Sequence, residues 1–437
     1  MDEILQLKIN GIKNIEKEVT INFVNTIVDS GIKNISRVKG IFGYNGSGKT
    51  ALINALDIYK NITTSTNYLN QIDVIEELNK LINLNTKQFS LSILFKYKEN
   101  QILKHSILLG FDDLSDSYNL KKEEISLLND RSVNGKYKTI LLIENGKLSN
   151  IGEDYTSSFL DELKTNDFAT TSIVPFVARK ISSERHSNDG EVKLESIKYL
   201  LLRLYFISRN INVYMKQSDN HRSYGLTMMN FVSSLKKDDF GFQDYLTNLA
   251  YAYTDEVTIP VKVIDLYEKE NAKLERFIKY FKPGLESIEL IKREDKDQIH
   301  LRRLFKYKSY NVEYEFESSG IKELVNLFSY LSLCANGGIA FIDEMDANLN
   351  SAYFSTLISF FVKYGKGQLV FTTHNLEAMN ALKPVSKSIL VLGVDGNIDT
   401  WIGKGNRSPI KDYLSGNLPH SPMNIEDFDF INLFSLN

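Results

Sequence analysis

A chain of 437 residues, 43% hydrophobic and 24% charged, can bury a sizeable core without disulfides or structural metals. Lys+Arg 52 against Asp+Glu 55 leaves a formal charge of −3, so no global positive field marks a nucleic-acid or membrane binder. A lone cysteine, Cys334, excludes an internal disulfide framework, and the acidic opening MDEILQLKIN is unlike a signal peptide, so a cytoplasmic protein is expected.

In chain order, two short strands are predicted around Leu5 to Ile9 and Val19 to Phe23. A third, Val38 to Phe42, runs into Gly43-Tyr44-Asn45-Gly46-Ser47-Gly48-Lys49-Thr50, after which Leu52, Ile53, Leu56 and Tyr59 recur at helical spacing. Residues 60–88, rich in Asn and Thr, read as a helix with irregular flanks, and FSLSILFKY, HSILLGF and TILLIENGKL as strands with an Asn145-Gly146 hairpin turn. From 156 to 282 the pattern is mostly helical, with helices expected over Ile197 to Tyr214 and Val263 to Phe281. No heptad pattern lasts three repeats, which excludes a long coiled-coil arm. SIELI and NVEYEFE return to strand, and from Ile321 a helix runs through Leu324, Leu327, Phe328 and Leu331.

Leu324 to Ile342 holds no formal charge, but Asn326, Ser329, Ser332 and Asn336 interrupt it and Gly337-Gly338 breaks it, so it reads as helix, turn and strand. The remainder alternates strand (339–342), helix (350–362), strand (369–372), helix (from 375) and strand (389–392), which implies crossover units and a parallel sheet. The fold expected is α/β in three parts: 1–155, then a mainly helical insertion over 156–284, then 285–437.

Gly43 to Thr50 fits G-x-x-x-x-G-K-[ST] between a strand and a helix, the context a phosphate loop requires. Gly43, Asn45, Gly46, Ser47 and Gly48 supply backbone N–H groups around phosphate, Lys49 bridges the β- and γ-phosphates, and the Thr50 hydroxyl ligates Mg²⁺. The apolar strand Ile339 to Ile342 ends in Asp343-Glu344, a carboxylate for Mg²⁺ and a base for the attacking water. LVFTT places His374 at the end of the next strand, where it would sense the γ-phosphate. Ser318, Ser319 and Gly320 open the apolar helix; alone they are an N-cap, and a Ser/Gly helix start also binds anions.

The strings GYNGSGKT, ESSGIKEL, IAFIDEMDANLN and LVFTTHN, in this order, resemble the ABC-class ATPases of the SMC, RecF and OLD branch. They are most similar to its standalone AAA-type ATP-binding proteins, many of them encoded in bacterial anti-phage loci. LKINGIKNI resembles that group's first strand and KDYLSGNLP its tail motif, so the likeness covers about residues 1–60 and 285–420. It implies an ABC-ATPase head: a P-loop NTPase with a mixed sheet of parallel core, an antiparallel β subdomain and a helical insertion. It further implies that Lys49 and Thr50 act in cis, Asp343 holds Mg²⁺, Glu344 is the base and His374 the switch. Ser318 to Gly320 would be a signature that contacts the γ-phosphate of a second copy, and Asp346 to Asn350 the loop that crosses the dimer interface. Ile321 stands where the signature has a polar residue, and Ser172 to Ala178, where the outline places the Q-loop, contains no Gln; Gln88 precedes a strand.

The function implied is ATP hydrolysis by a homodimer or higher homo-oligomer that regulates a separate effector protein, a nuclease or toxin, in anti-phage defence. Two alternatives stay open: a RecF-like repair ATPase that clamps DNA, and a slow, nucleotide-stabilised scaffold that holds a toxin inactive. Only 63 residues follow His374, too few for a fused nuclease domain. Arg302 to Lys308 mixes cations and aromatics as nucleic-acid grooves do, although a solvated strand face is the simpler reading. The acidic and aromatic tail from Ile425 either packs on its own domain or is offered to a partner.

Overall fold

The computed structural model describes residues 3–28, 31–98, 101–128, 137–152, 158–187, 196–215, 256–261, 264–347, 349–385, 387–403 and 407–421. The tail from Ile425 and Asn348 of the expected interface loop lie outside these residues. The strands, in chain order, are β1 (Glu3–Asn10), β2 (Val19–Asn22), β3 (Val24–Val28), β4 (Gly31–Ile35), β5 (Val38–Gly43), β6 (Gln88–Lys98), β7 (Gln101–Asp112), β8 (Ser117–Leu128), β9 (Lys138–Glu144), β10 (Lys147–Ile151), β11 (Ile211–Tyr214), β12 (Glu256–Pro260), β13 (Leu285–Asp295), β14 (Gln298–Tyr307), β15 (Asn311–Glu313), β16 (Ile339–Ile342), β17 (Gln368–Thr372), β18 (Ile389–Leu392) and β19 (Ile398–Thr400). The helices are α1 (Lys49–Thr64), α2 (Ile72–Leu81), α3 (Ser158–Leu163), α4 (Ile173–Ser187), α5 (Ser196–Arg209), α6 (Ile264–Phe281), α7 (Ser319–Ala335), α8 (Ser351–Tyr364), α9 (Glu377–Leu382) and α10 (Pro409–Leu414).

The sheet that carries the site has the order β11-β16-β17-β5-β18-β19, parallel except for the β18–β19 hairpin. Its inner strands VKGIFG, IAFI, QLVFT and ILVL are buried at every position, as expected of parallel strands covered by helices on both faces. Because β17 lies between β5 and β16, with Phe371 paired to both Ile342 and Gly40, the carboxyl ends of these three strands emerge along one edge. That edge is where an open α/β sheet binds its ligand.

A second, antiparallel sheet has the order β10-β9-β8-β7-β6-β1-β2. Its Leu91, Ile93, Phe95, Leu103 and Ile107 join one core with Leu52, Leu56 and Tyr59 of α1 and Leu200, Leu201 and Leu204 of α5. At its far end Asn145 and Gly146 adopt φ 47° and 75°, the conformation of a tight hairpin turn. A third sheet, β12-β14-β13 with β15 on β14, packs against α6 and α7 through Tyr267, Leu274, Ile278 and Phe328.

Two elements depart from expectation. The helix read over Ile197 to Tyr214 stops at Arg209, and INVY continues as β11, fully buried and parallel to β16; β-branched and aromatic side chains suit that edge better than another helical turn. NVEYEFE forms a strand only over Asn311–Glu313, then tightens into a 3₁₀ turn at Tyr314–Phe316, which buries the Tyr314 ring against Phe305. The charge-free run Leu324 to Ile342 is the end of α7, a turn at Gly337 with φ 111°, and β16. No helix among the described residues is long and apolar enough to cross a membrane.

Lys39, on β5, is fully buried, donates to the Lys387 carbonyl at 2.6 Å and lies 5.4 Å from the Phe23 ring centroid. Burial, with help from the Lys387 charge, lowers its pKa from 10.5 to about 7. Between these values the unfolded chain carries a proton that the folded one lacks, so the native protein gains stability as pH rises. Below the folded pKa both states are protonated and the cost of burial is constant. Lys39→Met should therefore raise the urea midpoint strongly at pH ~6.5 and progressively less towards pH ~10. A gain that is independent of pH would contradict a buried, charge-averse lysine.

Candidate active site

The phosphate loop follows from three glycines and a strand end. Gly43 has φ 145°, and a Cβ there would stand 2.3 Å from the Leu392 carbonyl oxygen. Gly48, at φ 100°, would press a Cβ to 2.6 Å from the Asn14 side-chain oxygen. α1 starts at Lys49 with no side-chain cap on its first turn, so its terminal N–H groups stay open to an anion. Lys49 Nζ folds back onto the carbonyls of Gly43 and Tyr44, at 3.0 and 2.8 Å. Burial holds its pKa below the ordinary lysine value, while the carboxylates of Asp343, Glu344 and Asp346 act in the opposite direction. Ser47 is fully buried, and its hydroxyl oxygen has no hydrogen-bond partner among the described residues. A buried hydroxyl without a partner inside a ring of N–H donors fits a bound phosphate.

Asp343 leaves the end of β16 and is 8% exposed. Thr372, at the end of β17, donates its hydroxyl to Asp343 Oδ1 at 2.5 Å and accepts the Glu344 N–H at 2.8 Å. The Met345 N–H then bonds the Thr372 carbonyl at 3.1 Å. One threonine thus fixes both the carboxylate and the backbone of the next residue. Glu344 has φ 45°, an uncommon conformation for a residue with a Cβ and one that gathers at functional sites; its carboxylate faces solvent. Thr372→Val keeps the shape and removes the hydroxyl. If the ATP hydrolysis that the sequence resemblance implies takes place here, its kcat should fall on the order of tenfold with a smaller change in KM, since bonds to charged groups are at stake. An unchanged kcat in a phosphate-release assay would remove Thr372 from the catalytic arrangement.

His374 follows β17 at an exposed position and hydrogen-bonds no described residue, while the Asn375 N–H turns back to the Thr373 hydroxyl at 2.9 Å. Thr50 is half-buried at the second position of α1. Among the described residues no group of three or more His, Cys, Asp or Glu could hold a metal. A cation at Thr50 and Asp343 would therefore take its remaining ligands from phosphate and water, the usual manner of Mg²⁺ in nucleotide sites, and these hard oxygen donors suit it.

The loop, Asp343, Glu344 and Thr372 come together, and the expected signature has hydrogen bonds of its own. Ser318 caps α7 by accepting the Ile321 N–H at 3.4 Å, and its own N–H bonds Glu317 Oε2 at 2.9 Å. Tyr307 donates to the other oxygen of Glu317. Ser318 and Ser319 are exposed, and among the described residues no hydrogen bond ties 318–320 to the phosphate loop. Of the expected interface loop, Ala347 N–H bonds the Glu344 carbonyl at 2.8 Å and Asn350 caps α8 through the Ala352 N–H at 3.0 Å.

Gln88 opens β6 at an exposed position. Ser172, in the segment where a Q-loop is expected, instead starts α4: its hydroxyl and the Ile173 N–H bond the buried Glu123 carboxylate at 2.6 and 3.0 Å. Glu123 also meets His105 Nε2 at 3.0 Å, and His105 Nδ1 meets the Tyr59 hydroxyl of α1 at 2.8 Å. Burial raises the Tyr59 pKa, so the phenol keeps its proton in this chain of buried polar groups. Sequence reasoning missed this chain, as it missed Thr372 and Asn14. The Asn14 amide donates to the Ser47 carbonyl at 2.9 Å and reaches the Val394 carbonyl at 3.5 Å. The available signal for Asn14 was the loop GIKN, whose Gly11 adopts φ 78° where a Cβ would meet the Gln88 carbonyl.

A family model described as "AAA domain, putative AbiEii toxin, Type IV TA system" matches residues 40–380, which span the phosphate loop, Asp343, Glu344 and His374. No curated protein matches the chain. Among solved structures it is similar to the Smc head domain of Pyrococcus furiosus with an extended coiled coil, bound to the C-terminal domain of ScpA: 14% identity, 92% of this chain and 97% of that one, TM-score 0.42. The recombination mediator protein RecF with ATP is 14% identical over 92% of this chain and 98% of its own, TM-score 0.34.

Proposed function

This chain belongs to that AAA domain family, and from that premise we propose that it is an ABC-type ATPase that closes as a homodimer around ATP and regulates a partner effector, a nuclease or toxin, in anti-phage defence. The observation that carries the ATPase reading is the Lys49 ammonium held on its own loop carbonyls beside Asp343 and Glu344, with a buried Ser47 hydroxyl that has no partner among the described residues. Phosphate would draw Lys49 off those carbonyls and occupy the N–H groups of residues 46–50. Bound Mg²⁺, held by Thr50 and Asp343, would neutralise charge on the phosphate oxygens. Glu344 accepts the proton of the attacking water, and His374, at the next strand end, faces the γ-phosphate. Ser318, Ser319 and Gly320, of which the two serines are exposed, contact the γ-phosphate held by the second copy.

A toxin–antitoxin setting is in keeping with the family description, "putative AbiEii toxin, Type IV TA system", and the separate effector is our own reading. A DNA clamp gains no support from the cationic run: Arg302 pairs with Glu313 at 3.1 Å, Lys306 with Glu289 at 2.6 Å, and Arg303 is buried against Tyr267 and Asn271. The test is to incubate the purified chain with ATP, Mg²⁺ or Mn²⁺ and several DNAs and RNAs, alone and with the products of adjacent genes. Cleavage or toxicity should need the second protein and respond to nucleotide. Metal-dependent cleavage by this chain alone, lost on mutating residues outside the phosphate site, would overturn the two-component reading.

A further inference from the structure

The last described segment, Arg407 to Ser421, returns to the phosphate loop. At its start the Trp401 indole N–H bonds the Asp412 carboxylate at 3.0 Å, which fixes α10 to the end of β19. Tyr413 and Leu418 are buried in one cluster with Phe42 of β5 and Val391 of β18, and Tyr413 lies against the Gly43 backbone and Tyr44. At its end His420, at φ 63°, sits between two carboxylates of the β18–β19 hairpin, Nδ1 3.5 Å from Asp395 and Nε2 2.9 Å from Asp399. Gly393 leaves room for it: a Cβ there would stand 2.4 Å from His420 Nδ1. Ser421 is buried, its hydroxyl turned to the Leu418 carbonyl at 2.6 Å, and its own carbonyl accepts the Tyr44 hydroxyl at 3.3 Å. Tyr44 is a loop residue whose carbonyl holds Lys49 Nζ.

We propose that residues 407–421 form a strap that positions the phosphate loop for nucleotide, pinned by His420 to the β18–β19 hairpin and acting on Lys49 through Tyr44. The proposal rests on the phosphate-site reading and adds to it a second brace beside that of Asn14, which holds the Ser47 carbonyl. A brace that favours the binding-competent loop must itself be favoured when nucleotide is bound, because coupling between two sites is reciprocal. The strap is therefore a positioning element: its loss weakens nucleotide binding while the reaction at saturation, run by Asp343 and Glu344, stays close to normal.

The test uses the full chain. Tyr44→Phe, which removes one hydroxyl, should raise the Kd for ATP about threefold, and His420→Ala about five- to tenfold, with kcat at saturating ATP in His420→Ala within about twofold of the parent. His420→Gln keeps a donor towards Asp399 and should recover part of the loss. In the parent, ATP should slow amide hydrogen exchange over 409–421, and less so in Tyr44→Phe. Wild-type affinity in both variants, with exchange of the strap indifferent to ATP, would overturn the proposal. Lys49→Ala separates the two failures. If it binds ATP normally the phosphate-site reading falls, whereas loss in Lys49→Ala beside unaltered Tyr44→Phe and His420→Ala defeats the strap alone.

Discussion

Lys49→Ala should lose ATP binding by about a hundredfold or more while the apo protein stays folded. A charge-assisted contact to phosphate in a desolvated loop costs several kcal/mol to delete, about 2–5 by analogy with buried charge pairs. The apo fold should tolerate the change, because burial holds the ammonium's pKa below the ordinary value, so a buried charge that costs free energy is removed. The partners that Lys49 leaves, the carbonyls of Gly43 and Tyr44, border a loop whose residues 44–46 are exposed, so water can replace it. Equilibrium binding of labelled ATP, with a thermal midpoint on the same sample, checks both parts. Unaltered affinity would show that phosphate binds elsewhere.

Glu344→Gln should bind ATP like the parent and hydrolyse it about a hundred- to a thousandfold more slowly, the range expected when a positioned general base is removed. The replacement is close to isosteric, and the contacts that place residue 344 are backbone ones: its N–H to the Thr372 hydroxyl at 2.8 Å and its carbonyl to the Ala347 N–H at 2.8 Å. The strain of φ 45° is unchanged by the swap. Asp343 and the loop remain, so ATP should be retained, and in a chain that closes as a dimer the variant should accumulate in the ATP-bound, closed form. Hydrolysis at the native rate would remove Glu344 from the role of base.

The parts of the site built from local patterns were legible. GYNGSGKT needs glycines for φ values of 145°, 79° and 100° and a strand and helix on either side, and all of these are written in consecutive residues. The runs IAFI, LVFT and ILVL announce parallel strands because a strand buried on both faces has no polar side. What stayed hidden depends on distant pairing. INVY looks like the last turn of a helix until β16 is beside it, since only that parallel partner satisfies its backbone. Thr372 reads as the polar tip of a strand; its role exists because β17 is placed next to β16 with Phe371 opposite Ile342. His105 and Glu123 lie on two strands of unremarkable alternation, and only their register and the approach of α1 and α4 bring Tyr59, Ser172 and Ile173 to them. The strap is the extreme case, because Tyr44 and Ser421 are separated by most of the chain.

The most direct test of the account is phosphate release by the purified parent chain with ATP and Mg²⁺, measured beside Lys49→Ala and Glu344→Gln over a range of protein concentrations. Turnover by the parent should rise per chain as concentration increases, as the proposed contact of Ser318 with a second copy requires, and should be nearly abolished in both variants, with ATP still bound only by Glu344→Gln. Turnover that survives either substitution at the parent's rate would contradict it.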